Sequence, residues 1–141
     1  MDSQVAKLQS DFLSLKFGMF IHFNIATYRK TQWTAGYPAP AEFDPGGRID
    51  TDAWADAALS AGMTYGVLTA KHVGGFCLWD SATTEYKVTY PDCPYGEDLV
   101  GQFIESFRSR GLKAGLYYCW RNPGFGDPAQ YKVLPPECDP A

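Results

Sequence analysis

The sequence predicts an α/β fold built on a parallel sheet, and three observations carry that reading. Three apolar runs of strand length alternate with two segments of helical periodicity, and each helix passes through a glycine directly into the next strand. The strands are expected over residues 17–23, 65–71 and 113–119. At 141 residues and 45% hydrophobic content, the chain can bury one ordinary core and is too short for two.

The first strand runs from Phe17 and carries His22 near its end. A segment from Thr27 to Arg48 follows, rich in proline, glycine and aromatics, and contains Gln32-Trp33. Asp50-Thr51-Asp52 then opens a helix with capping residues, and Trp54, Ala57, Ala58 and Ala61 hold helical spacing until Gly62 stops it. The second strand leads into Thr69-Ala70-Lys71-His72-Val73-Gly74, which carries the other of the chain's two histidines. Between Gly74 and Gly96 lies a second long segment with Phe76, Trp79, Tyr86, Tyr90 and Tyr95. A helix from Glu97 to Arg110 has the apolar stripe Leu99, Val100, Phe103, Ile104 and Phe107, acidic residues at its start and arginines at its end. Gly111 ends it and the third strand, with Tyr117, begins.

The passages Gly62 to Leu68 and Gly111 to Tyr117 superimpose at one offset, with Gly62 on Gly111 and Gly66 on Gly115, which reads as a repeated helix–strand unit. Alternation along a strand groups Gly18, Phe20 and His22, then Gly66, Leu68, Ala70 and His72, then Gly115, Tyr117 and Cys119. If glycine marks the same face in all three strands, His22, His72 and Tyr117 point inward together. They would sit at the carboxyl rim of the sheet, where ligands bind in parallel folds, and both long loops would lie there too.

Composition narrows the function classes. Twelve basic against sixteen acidic residues give a net charge of −4, and no basic block is present, which argues against a nucleic-acid surface. No run reaches the roughly 18 apolar residues of a membrane helix, so a soluble protein is expected. Met1 to Val5 lack the basic start and apolar core of a secretory signal; either the protein stays inside the cell or a signal has been removed, and the location stays open. Cys77, Cys93, Cys119 and Cys138 include no Cys-x-x-Cys pair. Buried thiols are the favoured reading, with a Cys77–Cys93 disulfide as the alternative. Neither a cofactor nor a metal is expected.

With these residues in view, the chain resembles the N-terminal part of the catalytic domain of the α-L-fucosidases, glycoside hydrolase family 29. The matching passages occur in the family's order: Phe17-Gly18-Met19-Phe20-Ile21-His22-Phe23, Gln32-Trp33, Leu68 to Trp79, Asp98-Leu99-Val100, and Gly111-Leu112-Lys113 to Tyr117-Tyr118. The resemblance implies a TIM barrel, of which residues 1–141 are about three βα units, a retaining mechanism, and a fucosylated glycan or small fucoside as partner. It implies that His22 and His72 hydrogen-bond sugar hydroxyls, that Gln32 and Trp33 line the pocket, and that Tyr117 is the inward tyrosine of the third strand. An imidazole can donate and accept together, and an indole can stack on a sugar face. Trp79 is read as packing.

Three departures from the family pattern stand out. Val73 and Gly74 occupy the His and Asp positions of the family's Lys-His-His-Asp-Gly motif, and Gln32 replaces a frequent Glu. Retaining glycosidases need two carboxyl groups about 5 to 5.5 Å apart. The family's nucleophile lies on a fourth strand and its acid/base later still, so no catalytic residue is expected here. Asp127, Glu137 and Asp139 read as exposed loop carboxylates. The expectation is therefore an α-L-fucosidase-like hydrolase represented by a portion that is inactive alone, with a non-catalytic carbohydrate-binding or pseudoenzyme module as the alternative. A metal-dependent hydrolase using His22 and His72 is the weakest reading, since no close ligand pair exists.

Overall fold

Three strands pair in parallel in the order β1-β2-β3: β1 Gly18–Ile21, β2 Tyr65–Lys71 and β3 Lys113–Tyr118. The computed structural model describes residues 3–34 and 36–120. Parallel neighbours need long crossovers, and these contain α3 (Thr51–Ser60) and α4 (Leu99–Ser109). A helix α1 (Ser3–Ser14) precedes β1, the single-turn α2 (Ile25–Tyr28) follows it, and Pro40–Glu42 form a 3₁₀ turn.

The two crossover helices begin and end as their sequences dictate. Asp50 caps α3 by accepting the Ala53 N–H at 2.8 Å, and Asp98 caps α4 by accepting the Gly101 N–H at 2.8 Å. Asp98 is thus a cap rather than a residue of the helix interior. Gly62 and Gly111, at φ of 72° and 76°, take the left-handed turn that closes each helix. The helices are fastened to each other by a buried 2.8 Å bond between the Thr51 and Ser106 hydroxyls and by Arg110, which reaches Asp52 and Asp56.

Residues paired across parallel strands share a face, and the register corrects the expected alternation on β2. Gly18 pairs with Tyr65, Phe20 with Val67, and Val67 with Gly115. Gly66 pairs with Met19 and Ala114, so it lies on the opposite face from Gly18 and Gly115. The close approaches agree: a Cβ on Gly66 would run into the Phe107 ring of α4, whereas one on Gly115 would meet Val67 Cγ2 at 3.2 Å. Gly66 and Leu68 therefore face the helices, not the interior side that carries Phe20 and Tyr117. The glycine is there because a fully buried phenylalanine lies on the strand.

Helix α1 escaped the sequence reading. None of its residues is buried, and its apolar side touches the sheet through Phe12, whose ring lies 6.4 Å from that of Tyr65. The core gathers Leu68, Ala55, Ala58, Phe103 and Phe107 between sheet and helices. It continues into the long loops through a set of aromatic rings around Phe43, which meets Phe23, Tyr28, Phe76 and Tyr95 at 5.7, 5.2, 5.4 and 5.8 Å. Most of the loop aromatics thus pack the loops onto one another, and the aromatic content alone does not mark a ligand surface.

Candidate functional site

Strand β1 stops at Ile21, and His22 follows on the same side as Phe20, their rings 4.3 Å apart. That strand end is pinned from β2: the buried Thr69 hydroxyl reaches the carbonyls of Ile21 and Phe23, each at 3.3 Å. Immediately afterwards Asn24 caps α2, accepting the Ala26 N–H at 2.8 Å while the Thr27 hydroxyl accepts the Asn24 N–H at 3.2 Å. The short helix holds the chain close to the rim so that residues 31–33 return beside His22.

His72 reaches the same side by another route. Thr69 pairs with Tyr117, but the next pairing joins Lys71 to Tyr118, so β2 carries one extra residue at a bulge. The bulge turns His72 to the interior side. Its ring lies 5.9 Å from His22 and 5.9 Å from Tyr117, and Tyr117 lies 5.9 Å from Phe20. The inward convergence of His22, His72 and Tyr117 matches the expectation, although the alternation that led to it fails on β2.

A cleft of about 400 Å³ opens here, lined by His22, Asn24, Thr27, Thr31, Gln32, Trp33 and His72. Four of the five sequence-predicted residues line it, and Tyr117 stands beside it against His72. Asn24, Thr27 and Thr31 were not singled out from the sequence, although Asn24-x-x-Thr27 is a visible capping pattern. Trp33 is 60% exposed, leaving an indole face open to solvent.

The cleft wall is polar and partly dehydrated. His72 Nδ1 is buried without a hydrogen-bond partner among the described residues, and burial first, then the neighbouring His22, hold the imidazole below the usual histidine range. Burial first, then Cys119, raise the Tyr117 phenol above its ordinary value. The turn after His72 closes with the Gly75 N–H donating to the His72 carbonyl at 2.9 Å. Inside that turn Gly74 leaves room for Thr34, whose buried hydroxyl lies 2.8 Å from where a Cβ would stand.

Trp79 is half-buried and packs at 6.2 Å on Tyr118, outside the cleft. Cys77 and Cys93 are both buried and are not joined to each other, so the alternative Cys77–Cys93 disulfide is not formed. Cys138, Asp127, Glu137 and Asp139 lie outside the described residues. Among the described residues, no three His, Cys, Asp or Glu side chains gather to hold a metal ion, and no helix is long and apolar enough to cross a membrane.

A family model described as "Alpha-L-fucosidase" matches residues 38–134, more than half of the chain. The chain belongs to the alpha-L-fucosidase family. It is 34% identical over 100 residues to alpha-L-fucosidase 1 of Arabidopsis thaliana, covering 70% of this chain and 20% of that protein. A glycoside hydrolase 29 family member from an unknown rumen bacterium superimposes with a TM-score of 0.74 at 34% identity, over 86% of this chain and 22% of the other. Alpha-L-fucosidase AlfC from Lactobacillus casei, solved with alpha-L-fucose product, gives a TM-score of 0.62 at 28% identity over 74% of this chain and 38% of its own. This fucosidase-family chain spans between about a sixth and a third of the length of the curated relatives it matches.

Proposed function

We propose that residues 1–141 supply about three βα units of the TIM-barrel catalytic domain of a retaining α-L-fucosidase, in which His22 and His72 hold the sugar. The observation that carries this reading is the meeting of two histidines, 50 positions apart in sequence, at 5.9 Å across one cleft at the carboxyl rim of a parallel sheet. Imidazoles match the paired donor and acceptor character of sugar hydroxyls, Gln32 adds an amide, the open Trp33 indole suits the sugar's apolar face, and Tyr117 backs His72.

The barrel reading draws support from both faces of β3. Tyr117 and Leu116, on opposite faces, are 37% and 48% exposed, and an apolar groove of about 280 Å³ runs between α4 and β3, lined by Val100, Ile104, Leu116 and Tyr118. A further crossover helix and strand would cover both surfaces. On this reading the nucleophile and acid/base belong to later strands, and the present chain binds without cleaving.

The test is hydrolysis of 4-nitrophenyl α-L-fucoside by the full-length protein. His22→Ala and His72→Ala are each expected to lower kcat/KM about a hundredfold, near 2.7 kcal/mol at 1.36 kcal/mol per decade. Tight binding of L-fucose without turnover would establish the non-catalytic carbohydrate-binding alternative, which the absence of a carboxylate at Val73 and Gly74 favours. Neither binding nor turnover would end the fucosyl reading.

A further inference from the structure

We propose that Lys71 is a positioning residue that locks the β2 bulge and so aims His72 into the cleft. Its functional consequence rests on the sugar-site reading above; its structural content does not. From Tyr65 opposite Lys113 to Thr69 opposite Tyr117 the two strands run in step, and then Lys71, not Ala70, stands opposite Tyr118. Without that extra residue, alternation from Thr69 would put Lys71 on the interior side and His72 on the helix side. With it, the two neighbours exchange faces: the Lys71 ammonium sits 5.0 Å over the Tyr118 ring, and His72 meets Tyr117 and His22.

A bulge breaks the hydrogen-bond ladder and persists only if something holds it. Lys71 does so from both ends. Its carbonyl accepts the Cys119 N–H at 2.8 Å, and its Nζ donates to the Cys119 carbonyl at 2.8 Å, clamping the residue just after β3 to the residue just before His72. The freed Ala70 carbonyl takes the Leu78 N–H at 3.0 Å. Lys71 is 6% exposed, and a buried ammonium is tolerated only where partners compensate its lost hydration. Slipping back to a regular register would carry that charge to the side occupied by Phe20 and Tyr117, away from the Cys119 carbonyl. Charge and bulge therefore hold each other in place, and a lysine directly before the histidine is the residue type that can do it: long enough to cross to the next strand and costly to move.

The decisive experiment uses the full-length protein with 13C-labelled histidine, the His72 signal being assigned with His72→Gln. Lys71→Met removes the ammonium and keeps the stem, Lys71→Arg keeps a donor, and Tyr118→Leu withdraws the ring at an exposed position. The titratable groups facing His72 are His22 from the end of β1 and Tyr117 from β3. In Lys71→Met the His72 titration is expected to move up toward the ordinary histidine range as the ring leaves its half-buried place, and L-fucose affinity to fall about tenfold. Lys71→Arg restores most of both, and Tyr118→Leu moves the titration the same way by less. An unchanged His72 titration in folded Lys71→Met and Tyr118→Leu overturns the proposal; if Lys71→Met fails to fold, Tyr118→Leu alone decides. A shifted titration in a protein that never binds L-fucose leaves the positioning role standing and removes the fucosyl reading instead.

Discussion

His72 is held below the usual histidine range by burial and by His22, and that has a pH consequence with a definite sign. The unfolded chain takes up its proton near pH 6.5, the folded chain only at lower pH. Between those values the unfolded state binds more protons, so stability rises with pH through that window and the contribution is complete above 6.5. Acidification from pH 7.5 to 5 is expected to lower the unfolding midpoint of the native protein more than that of His72→Gln; equal losses in denaturant titrations at the two pH values would show that His72 is not the group responsible. Of the residues around this ring, His22 and His72 were legible in the sequence as strand-end imidazoles, while Gln32 and Trp33 were legible only through the family resemblance. Asn24 could have been found from its capping pattern, whose side chain accepts the Ala26 N–H, but Thr69 could not, because its hydroxyl acts on the distant carbonyls of Ile21 and Phe23. Nothing in residue type distinguishes such a threonine from one that merely favours a strand.

Helices and strands were legible where sequence and packing agree, as at Asp50, Gly62 and Gly111, whose cap and turn roles need no knowledge of neighbours. Register was not, because a slip of one residue is decided by contacts some 48 positions away, and it reverses every side chain. Gly66 shows this well: its sequence match to Gly115 suggests a shared face, and the Phe107 ring explains why the face is the other one. Gly66→Ala is therefore expected to cost about 2–3 kcal/mol by overpacking a fully buried phenylalanine. Gly115→Ala, where the nearest atom is Val67 Cγ2 at 3.2 Å, should cost clearly less. Chemical denaturation of the two variants in the full-length protein makes the comparison; equal costs would mean that the two glycines face alike.

Across the molecule, apolar surface remains on several exposed elements at once. Leu8, Phe12 and Leu13 of α1 are 61%, 64% and 73% exposed, Phe17 and Phe20 are half exposed, and Trp120 is 70% exposed. Such surface is common in scattered form, but here the Phe20 and Tyr117 rings lie side by side on the sheet face that also carries Tyr65, against which Phe12 packs. Among the described residues, β1 and β3 each have one strand neighbour, β2, so each also presents an open edge. Open edges beside apolar faces favour association with another chain over a stable monomer. The 141-residue chain expressed alone is expected to bind the hydrophobic dye ANS, to self-associate, and to unfold without a sharp transition. A protein of the relatives' length should do none of these, because further strands and helices would cover the same surfaces. A monomeric 141-residue chain that unfolds cooperatively would show that these faces are tolerated in water, and the barrel reading would then lose the surface argument on which it leans.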